Sequence, residues 1–415
     1  MISPVETWTA RQTGLLEDLD AERLGEWQLK KVSAVIAYAQ EKSRFYGEKL
    51  RATDPRSLSS LADLEKLPFT WPAELAREPL SFLCVPQSDV ARVTTLSTSG
   101  TRGVKKRIFF TQGDLLRTVD FFAHGMRGLV GAGESVLILM SGDTEHSVGS
   151  LLRAGLARIG VSTRIGEQGW GVMEAIAAAK GADCIVGIPQ EVHFMCRTDE
   201  SLRPRSVLLS ADYAPKCVVA AIEKTWQCRV FTHYGMTETG FGCAVQCPSR
   251  EGHHLRDADL FVEIVAPETG SRLGPGERGE IVITSLCSEA MPLIRYRTGD
   301  LARMTSAPCG CGGILPRLGR VEGRRENGIL LCGGSELSIH LLDEVIFAMP
   351  GVRGFEAALG REAGKDTLRL TVHTDQPLEW PSLAALFPGE IEILVRYAEV
   401  NPFSNRAKRQ VRMGR

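Results

Sequence analysis

The sequence predicts an α/β protein. A large N-terminal domain has mostly parallel strands flanked by helices plus a small antiparallel subdomain, and a small α+β C-terminal domain follows. Three observations predict it. Between residues 93 and 232 short apolar runs alternate with helical stretches, the pattern of a largely parallel sheet covered by helices. Residues 260–303 carry apolar runs separated by turn chemistry, as antiparallel strands do. After residue 320 the chain becomes rich in charge and glycine, and a smaller mixed unit runs to the end. The domains are therefore placed at 1–325 and 326–415, with a hinge near Glu326 or Asn327.

The chain as a whole fits this scheme. Its 415 residues are enough for two or three domains, and 43% hydrophobic content is enough for a sizeable core. A net charge of −1 creates no general field for nucleic acid or an acidic membrane. Nothing approaches the run of about 18 apolar residues that spans a bilayer. No basic-then-apolar leader is visible at the N-terminus. Eleven cysteines, an odd count in a large chain, suit free thiols in a reducing cytoplasm, some of them holding metal.

Residues 1–90 read as mostly helical. The stretch 27–50 has Leu29, Val32, Val35, Ile36 and Ala39 at helical spacing, then the core aromatics Phe45 and Tyr46. A short helical segment at 61–67 is closed by Pro68. Strands are expected at 93–96, 107–111, 136–140, 162–165, 184–187, 207–210 and 228–232. Helices are expected at 148–159, 170–179 and 215–226. Ligands of such sheets sit beyond the carboxyl ends of the strands. The polar loops 94–106, 141–147, 210–213 and 233–240 each follow a strand-like run and could gather there.

The loop between the first two strands reads TTLSTSGTRGVKK. Ser97, Thr98, Ser99 and Thr101 offer hydroxyls, Gly100 and Gly103 allow close backbone approach, and Lys105 and Lys106 add charge. Successive N–H groups in such a loop form an anion-binding concavity. The spacing is not that of a Walker A loop, and the composition also suits an ordinary polar hairpin. In 233–240 Tyr234 could stack on a planar base and Glu238 could hold a divalent cation, or the glutamate could simply be solvated. In 291–300 Asp300 could accept two hydrogen bonds from a diol such as a ribose, while Arg295 and Arg297 would be costly to bury without partners.

Three elements in order, STSGTRGVKK, YGMTETG and RYRTGD, resemble the adenylate-forming superfamily. EAMPLIRYRTGDLA followed by CGCGG is similar to its phenylacetate–CoA ligase branch. The resemblance implies a two-step reaction with ATP, Mg2+ and coenzyme A: a carboxylic acid, here an aromatic one, becomes an acyl-adenylate and then a thioester. It also implies a C-terminal domain that moves between the two steps. By motif, Ser99 and Thr101, with Thr98, Gly100, Gly103 and Lys106, would grip the phosphates. Ala211, Asp212, Tyr234 and Gly235 would lie at the adenine, Thr237 at the α-phosphate and Glu238 at magnesium. Asp300 would hold the ribose hydroxyls, Arg324 would lie near ribose and phosphate, and Lys408 would be the catalytic lysine. The chain departs from the family pattern at Arg102, Lys105, Asn327 and Ala407.

Cys309 and Cys311 suggest a structural Zn2+, which needs a second pair of ligands to close a tetrahedron. Cys247 and His254 are the best candidates, with His253 and Cys243 as substitutes; free thiols in a Gly-rich turn are the alternative. The competing functions are acyl transfer from the adenylate to a carrier protein or an amine, and a catalytically silent nucleotide-binding protein. No nucleic-acid or membrane partner is expected, and the resemblance implies a homodimer.

Overall fold

The first half of the apolar run at 136–140 forms a strand, Ser135–Ile138, paired on both sides in a parallel array. In this computed structural model the described residues are 3–97, 105–324, 328–362, 364–374, 381–400, 403 and 409–414. They fall into two compact units.

One unit comprises Ala132–Thr144, Val161–Thr232 and Gly323–Arg415. Its parallel strands run in the order Ser162–Ile165, Ser135–Ile138, Cys184–Gly187, Ser206–Leu209, Arg229–Tyr234, the last continuing two residues beyond this unit. The helices Val172–Ala179, Pro189–Thr198 and Lys216–Trp226 link them. Both faces of the middle strands are buried, so they read as continuous apolar runs rather than alternating ones. The remainder of the unit is a four-stranded sheet, ordered Ile391–Tyr397, Lys365–Thr374, Val352–Glu362, Arg412–Met413, with the helix Ile339–Ile346. One apolar cluster joins the two parts: Ile222 and Trp226 share it with Leu342, Phe347 and Phe355. The expected boundary at 325/326, and the hinge residues Glu326 and Asn327, lie outside the described residues.

The other unit comprises Met1–Gly131, Glu145–Gly160 and His233–Glu322. Its antiparallel strands run Leu260–Val265, Arg278–Ser285, Tyr296–Thr305, Arg317–Leu318, His253–Leu255, Ala244–Gln246, the last pairing with His233 and Tyr234. The runs expected at 93–96 and 107–111 instead pair with each other antiparallel, Arg92–Ser97 with Lys105–Phe110, in a two-stranded sheet apart from the parallel one. The helical reading of 27–50 holds, except that Ser43 ends one helix, Ala21–Lys42, and caps a second, Arg44–Lys49.

Two helices were not expected. Pro189, two residues beyond the strand expected at 184–187, occupies the first position of the helix Pro189–Thr198, where its fixed φ and missing N–H cost nothing. The helix Gln112–Met126 starts from a capping box: Thr111 Oγ1 accepts from Asp114 N at 3.0 Å and Asp114 Oδ2 from Thr111 N at 3.0 Å.

The arginines of RYRTGD are structural. Arg295 and Glu263 are both about 1% exposed and bonded at 3.2 Å, and Arg295 also donates to the carbonyls of Glu65 and Leu67. Arg297 pairs with Glu280 and donates to Pro267 O at 2.8 Å. Both guanidinium groups lie over Phe69. These bonds fasten segment 65–71 to the strands that carry Tyr296 and Asp300.

Candidate active site and metal centre

Tyr234 ends its strand, and the chain turns sharply at Gly235, where a Cβ would stand 2.1 Å from Phe241 O. The 3-10 turn Thr237–Thr239 follows, closed by Gly240 at φ 68. It leaves Thr237 half-buried and Glu238 buried. Oε1 of Glu238 accepts from Lys106 Nζ at 2.5 Å and from Tyr296 OH at 3.1 Å, while Lys106 Nζ and Tyr296 OH are 3.2 Å apart. Lys106, near the start of its strand, and Glu238, in the 3-10 turn, therefore meet at this trio. Burial pushes the Glu238 carboxyl up, but the charge and hydrogen bond of Lys106 outweigh it and hold the carboxyl below its ordinary value.

Tyr234 donates to Asp300 Oδ2 at 3.0 Å, and both residues are buried. Asp300 is set by its own turn, its N–H bonding Thr298 Oγ1 at 3.0 Å. Burial first, then the Asp300 charge, raise the Tyr234 phenol well above its ordinary value, so it remains a donor. An Asp with a fixed donor on one oxygen is an oriented acceptor for vicinal hydroxyls.

Thr98, Ser99, Gly100, Thr101, Gly103 and Lys408 lie outside the described residues. Ala211, Asp212 and Arg324 belong to the other unit. Ala211 sits at φ 70, a left-handed conformation that costs an L-residue about 1–2 kcal/mol. Asp212 accepts from Tyr213 N at 2.8 Å, Arg409 N at 3.3 Å and Gln190 Nε2 at 3.4 Å. Arg324 is half-buried on the short strand Gly323–Arg324.

Two residues here escaped the sequence reading. Tyr296 stands between two arginines that drew attention by their charge. Arg409 resembled one more cation of a basic tail, yet its guanidinium bonds Asp343 Oδ1 at 2.8 and 3.0 Å and Phe355 O at 2.9 Å, and lies 4.3 Å over the Phe355 ring. Burial pushes the Asp343 carboxyl up to about 6 even though Arg409 opposes it.

Cys247, His254, Cys309 and Cys311 come together, all buried, with every ligand atom within 4.8 Å of the others. Cys247 Sγ and Cys309 Sγ are 3.5 Å apart, and Cys311 Sγ is 3.6 Å from His254 Nε2. Tetrahedral zinc with bonds of about 2.3 Å to sulfur and 2.0–2.1 Å to nitrogen requires edges of about 3.8 and 3.6 Å. The donor set and spacing therefore fit zinc. His253 and His254 are neighbours on one strand and face opposite ways; His253 Nδ1 meets Leu318 O at 3.3 Å instead. Burial raises the Cys247 thiol, but hydrogen bonds led by His254 bring it down to about 6. Burial lowers His254, but hydrogen bonds to Cys247 and Glu6 carry it up to about 10. Cys247 thus favours the thiolate, the form that binds metal, whereas burial pushes the Cys311 thiol up.

The lysine-matched buried glutamate and the tyrosine–aspartate pair thus lie close along the strand Arg229–Tyr234 and the turn that follows it. The AMP-binding enzyme family model matches residues 18–288, and the chain belongs to that family. It is 27% identical over 379 residues to a phenylacetate-coenzyme A ligase of Thermus thermophilus, covering 87% of this chain and 84% of that one. It is 26% identical over 359 residues to the Escherichia coli enzyme of the same name, covering 83% and 78%. Among solved structures, 2-hydroxyisobutyryl-CoA ligase in the postadenylation state with 2-HIB-AMP superposes with a TM-score of 0.79 at 20% identity, covering 95% of this chain and 89% of that one. O-succinylbenzoate coenzyme A synthetase of Bacillus subtilis with AMP gives 0.52 at 18% identity, covering 78% and 71%. These two share the fold. Among the described residues no helix is long and apolar enough to cross a membrane.

Proposed function

We propose that this chain is an AMP-forming acid–CoA ligase that acts on an aromatic carboxylic acid. The observation that carries the reading is Glu238, a buried carboxylate held by Lys106 and Tyr296 at the end of the strand that also presents Tyr234 to Asp300. In the first half-reaction a carboxylate oxygen of the substrate bonds to the α-phosphorus of ATP, and pyrophosphate departs with the electron pair of the broken P–O bond. In the second, the thiol of coenzyme A gives up its proton, its sulfur bonds to the acyl carbon, and AMP leaves.

Such transfer needs positioning and charge neutralisation more than covalent help. In this reading Tyr234 and Gly235 border the adenine, with Ala211 and Asp212, and Asp300 accepts from the ribose hydroxyls. Arg324 lies near ribose and phosphate. Thr98, Ser99, Gly100, Thr101, Gly103 and Lys106 hold the β- and γ-phosphates, and Thr237 donates to the α-phosphate. Glu238 holds Mg2+, which neutralises phosphate charge when bound; acceptor-only oxygen chemistry in a buried setting fits that ion. Lys408 steadies the attacking carboxylate and the charge developing on the α-phosphate. Cys247, His254, Cys309 and Cys311 hold a structural zinc that ties the loop after Glu238 to the loop after Asp300. The domain division at 325/326, with a C-terminal domain that moves between half-reactions, belongs to the same reading.

The phenylacetate-coenzyme A ligases among the relatives support an aryl substrate. Free thiols throughout the described cysteines support a cytoplasmic setting. Near-neutral net charge supports the absence of a nucleic-acid partner. A homodimer is part of the reading by resemblance alone. The test is product identification: the protein with Mg-ATP, CoA and a panel of aryl and aliphatic acids, analysed by mass spectrometry. An arylacyl-CoA thioester is expected. Preference for short aliphatic acids contradicts the aromatic assignment, and adenylate consumption that ignores CoA contradicts the acceptor.

A further inference from the structure

Glu6 has no part in the chemistry above, yet it is among the most buried carboxylates of its unit, at 3% exposure. It lies in the first turn of the helix Pro4–Thr13, 248 positions from the histidine it meets. Its Oε1 is 3.1 Å from His254 Nδ1 and accepts from Leu315 N at 3.3 Å, while Oε2 accepts from Ile314 N at 3.0 Å. Both amides belong to the chain that leaves the Cys309–Cys311 turn. Between them and the turn lies Gly313, where a Cβ would stand 2.5 Å from Glu6 Oε1 and 2.9 Å from His254 Cε1. Any side chain there would evict either the carboxylate or the imidazole.

We propose that Glu6 is the outer-sphere carboxylate of the metal centre, a positioning residue that fixes His254 with Nε2 toward the cysteines and couples docking of the first helix to the bound metal. The inference rests on the zinc reading of the four-residue cluster. The physical reason is the division of labour on the imidazole ring. When the ring gives up one proton to bind metal and keeps Nδ1–H toward Glu6, its lone pair is on Nε2, the atom 3.6 Å from Cys311 Sγ. Outer-sphere carboxylates of this kind orient the ring and raise its basicity, and their removal costs about 10–100-fold in metal affinity. A purely structural role for Glu6 would end at the amides of Ile314 and Leu315. The His254 tautomer is the readout that a role confined to those amides would not move.

The experiment uses the full chain in four forms: wild type, Glu6→Gln, Glu6→Ala, and Trp8→Phe. The last loosens the same helix elsewhere by removing the Trp8 Nε1 bond to Asp120 Oδ2 at 2.7 Å. Metal content is read by elemental analysis and zinc affinity by competition with a chromogenic chelator. Nitrogen-15 NMR reads the His254 tautomer, and hydrogen exchange reads residues 4–13 with and without metal. The expected result is one zinc per wild-type chain and an Nδ1–H tautomer. Affinity should fall about 10–100-fold in both Glu6 variants and stay unchanged in Trp8→Phe. Chelation should speed exchange of the first helix in the wild type. Zinc held as tightly by both Glu6 variants as by the wild type overturns the role of Glu6 alone. An equal loss of affinity in Trp8→Phe also overturns it, since helix docking would then be the whole effect. A wild-type chain that binds no zinc removes the metal reading itself, and the Glu6 proposal with it.

Discussion

Lys106 Nζ lies 2.5 Å from Oε1 of Glu238, and the pair is almost wholly screened from solvent. Replacing Lys106 with Met leaves Glu238 buried without its counter-charge. The sign follows directly. In the wild type the carboxyl is held below its ordinary value, so its ionised form persists until the pH falls through that lowered value. Without Lys106 the carboxyl loses its largest stabilising charge; the hydrogen bonds from Tyr296 and from its own backbone remain, and burial, now less opposed, raises it relative to the wild type. Lys106→Met should therefore move the acid limb of the pH–rate profile to higher pH and cut kcat/KM for ATP by roughly 10–100-fold, the scale of one charged hydrogen bond. An unshifted limb would separate Lys106 from Glu238 function.

The Tyr234–Asp300 bond makes a different demand. Tyr234→Phe removes the donor that orients the carboxylate but leaves its charge, so KM for ATP should rise several-fold while kcat changes little. Asp300→Ala removes both acceptors and should raise KM at least about tenfold. Steady-state kinetics with ATP varied would check both. Equal loss in kcat alone would place Asp300 away from the nucleotide.

Much of this arrangement was legible in the sequence where the chemistry is local. The alternating runs of 93–232 and the paired runs of 260–303 marked their strands because burial pattern follows period. The grouping of Cys247, His254, Cys309 and Cys311 was readable because two cysteines one residue apart need a second pair to close a metal site, and Cys247 and His254 were the best candidates for it. What escaped was of two kinds. Pro189 and the Thr111–Asp114 box carried helix-start signals that were available but passed over. Glu6, Tyr296 and Arg409 carried no local signal at all. Their roles come from partners far along the chain, such as Glu6 with His254, and a single sequence holds no trace of such pairings.

Arg295 offers a test of stability separate from catalysis. Its guanidinium is matched to Glu263 and two carbonyls in a dry setting, and burial already pushes Glu263 up despite that match. Arg295→Met strands the carboxylate, and breaking a buried pair in this way costs about 3–5 kcal/mol. Denaturant melts should record that loss. Turnover per folded molecule should stay near wild type, because Arg295 touches segment 65–71 rather than the nucleotide residues. A stable variant with poor turnover would reverse the assignment.

Metal removal should register in the same unit. Chelation, or Cys309→Ser with Cys311→Ser, should release zinc and lower the melting temperature, each kcal/mol corresponding to about 2–4 °C in a unit of roughly this size. KM for ATP should rise as well, since the turn carries the chain away from the strand of Asp300. A melting curve indifferent to chelation would leave the cluster as four buried side chains without an ion.

The most direct test of the central claim is acid-dependent pyrophosphate release. The protein is given Mg-ATP and a panel of aryl and aliphatic acids, with and without CoA, beside Lys408→Ala. An adenylate-forming ligase should release pyrophosphate only with its acid class, faster with CoA, and lose most of that rate in Lys408→Ala. ATP binding without pyrophosphate release from any acid, or release that Lys408→Ala leaves intact, would contradict it.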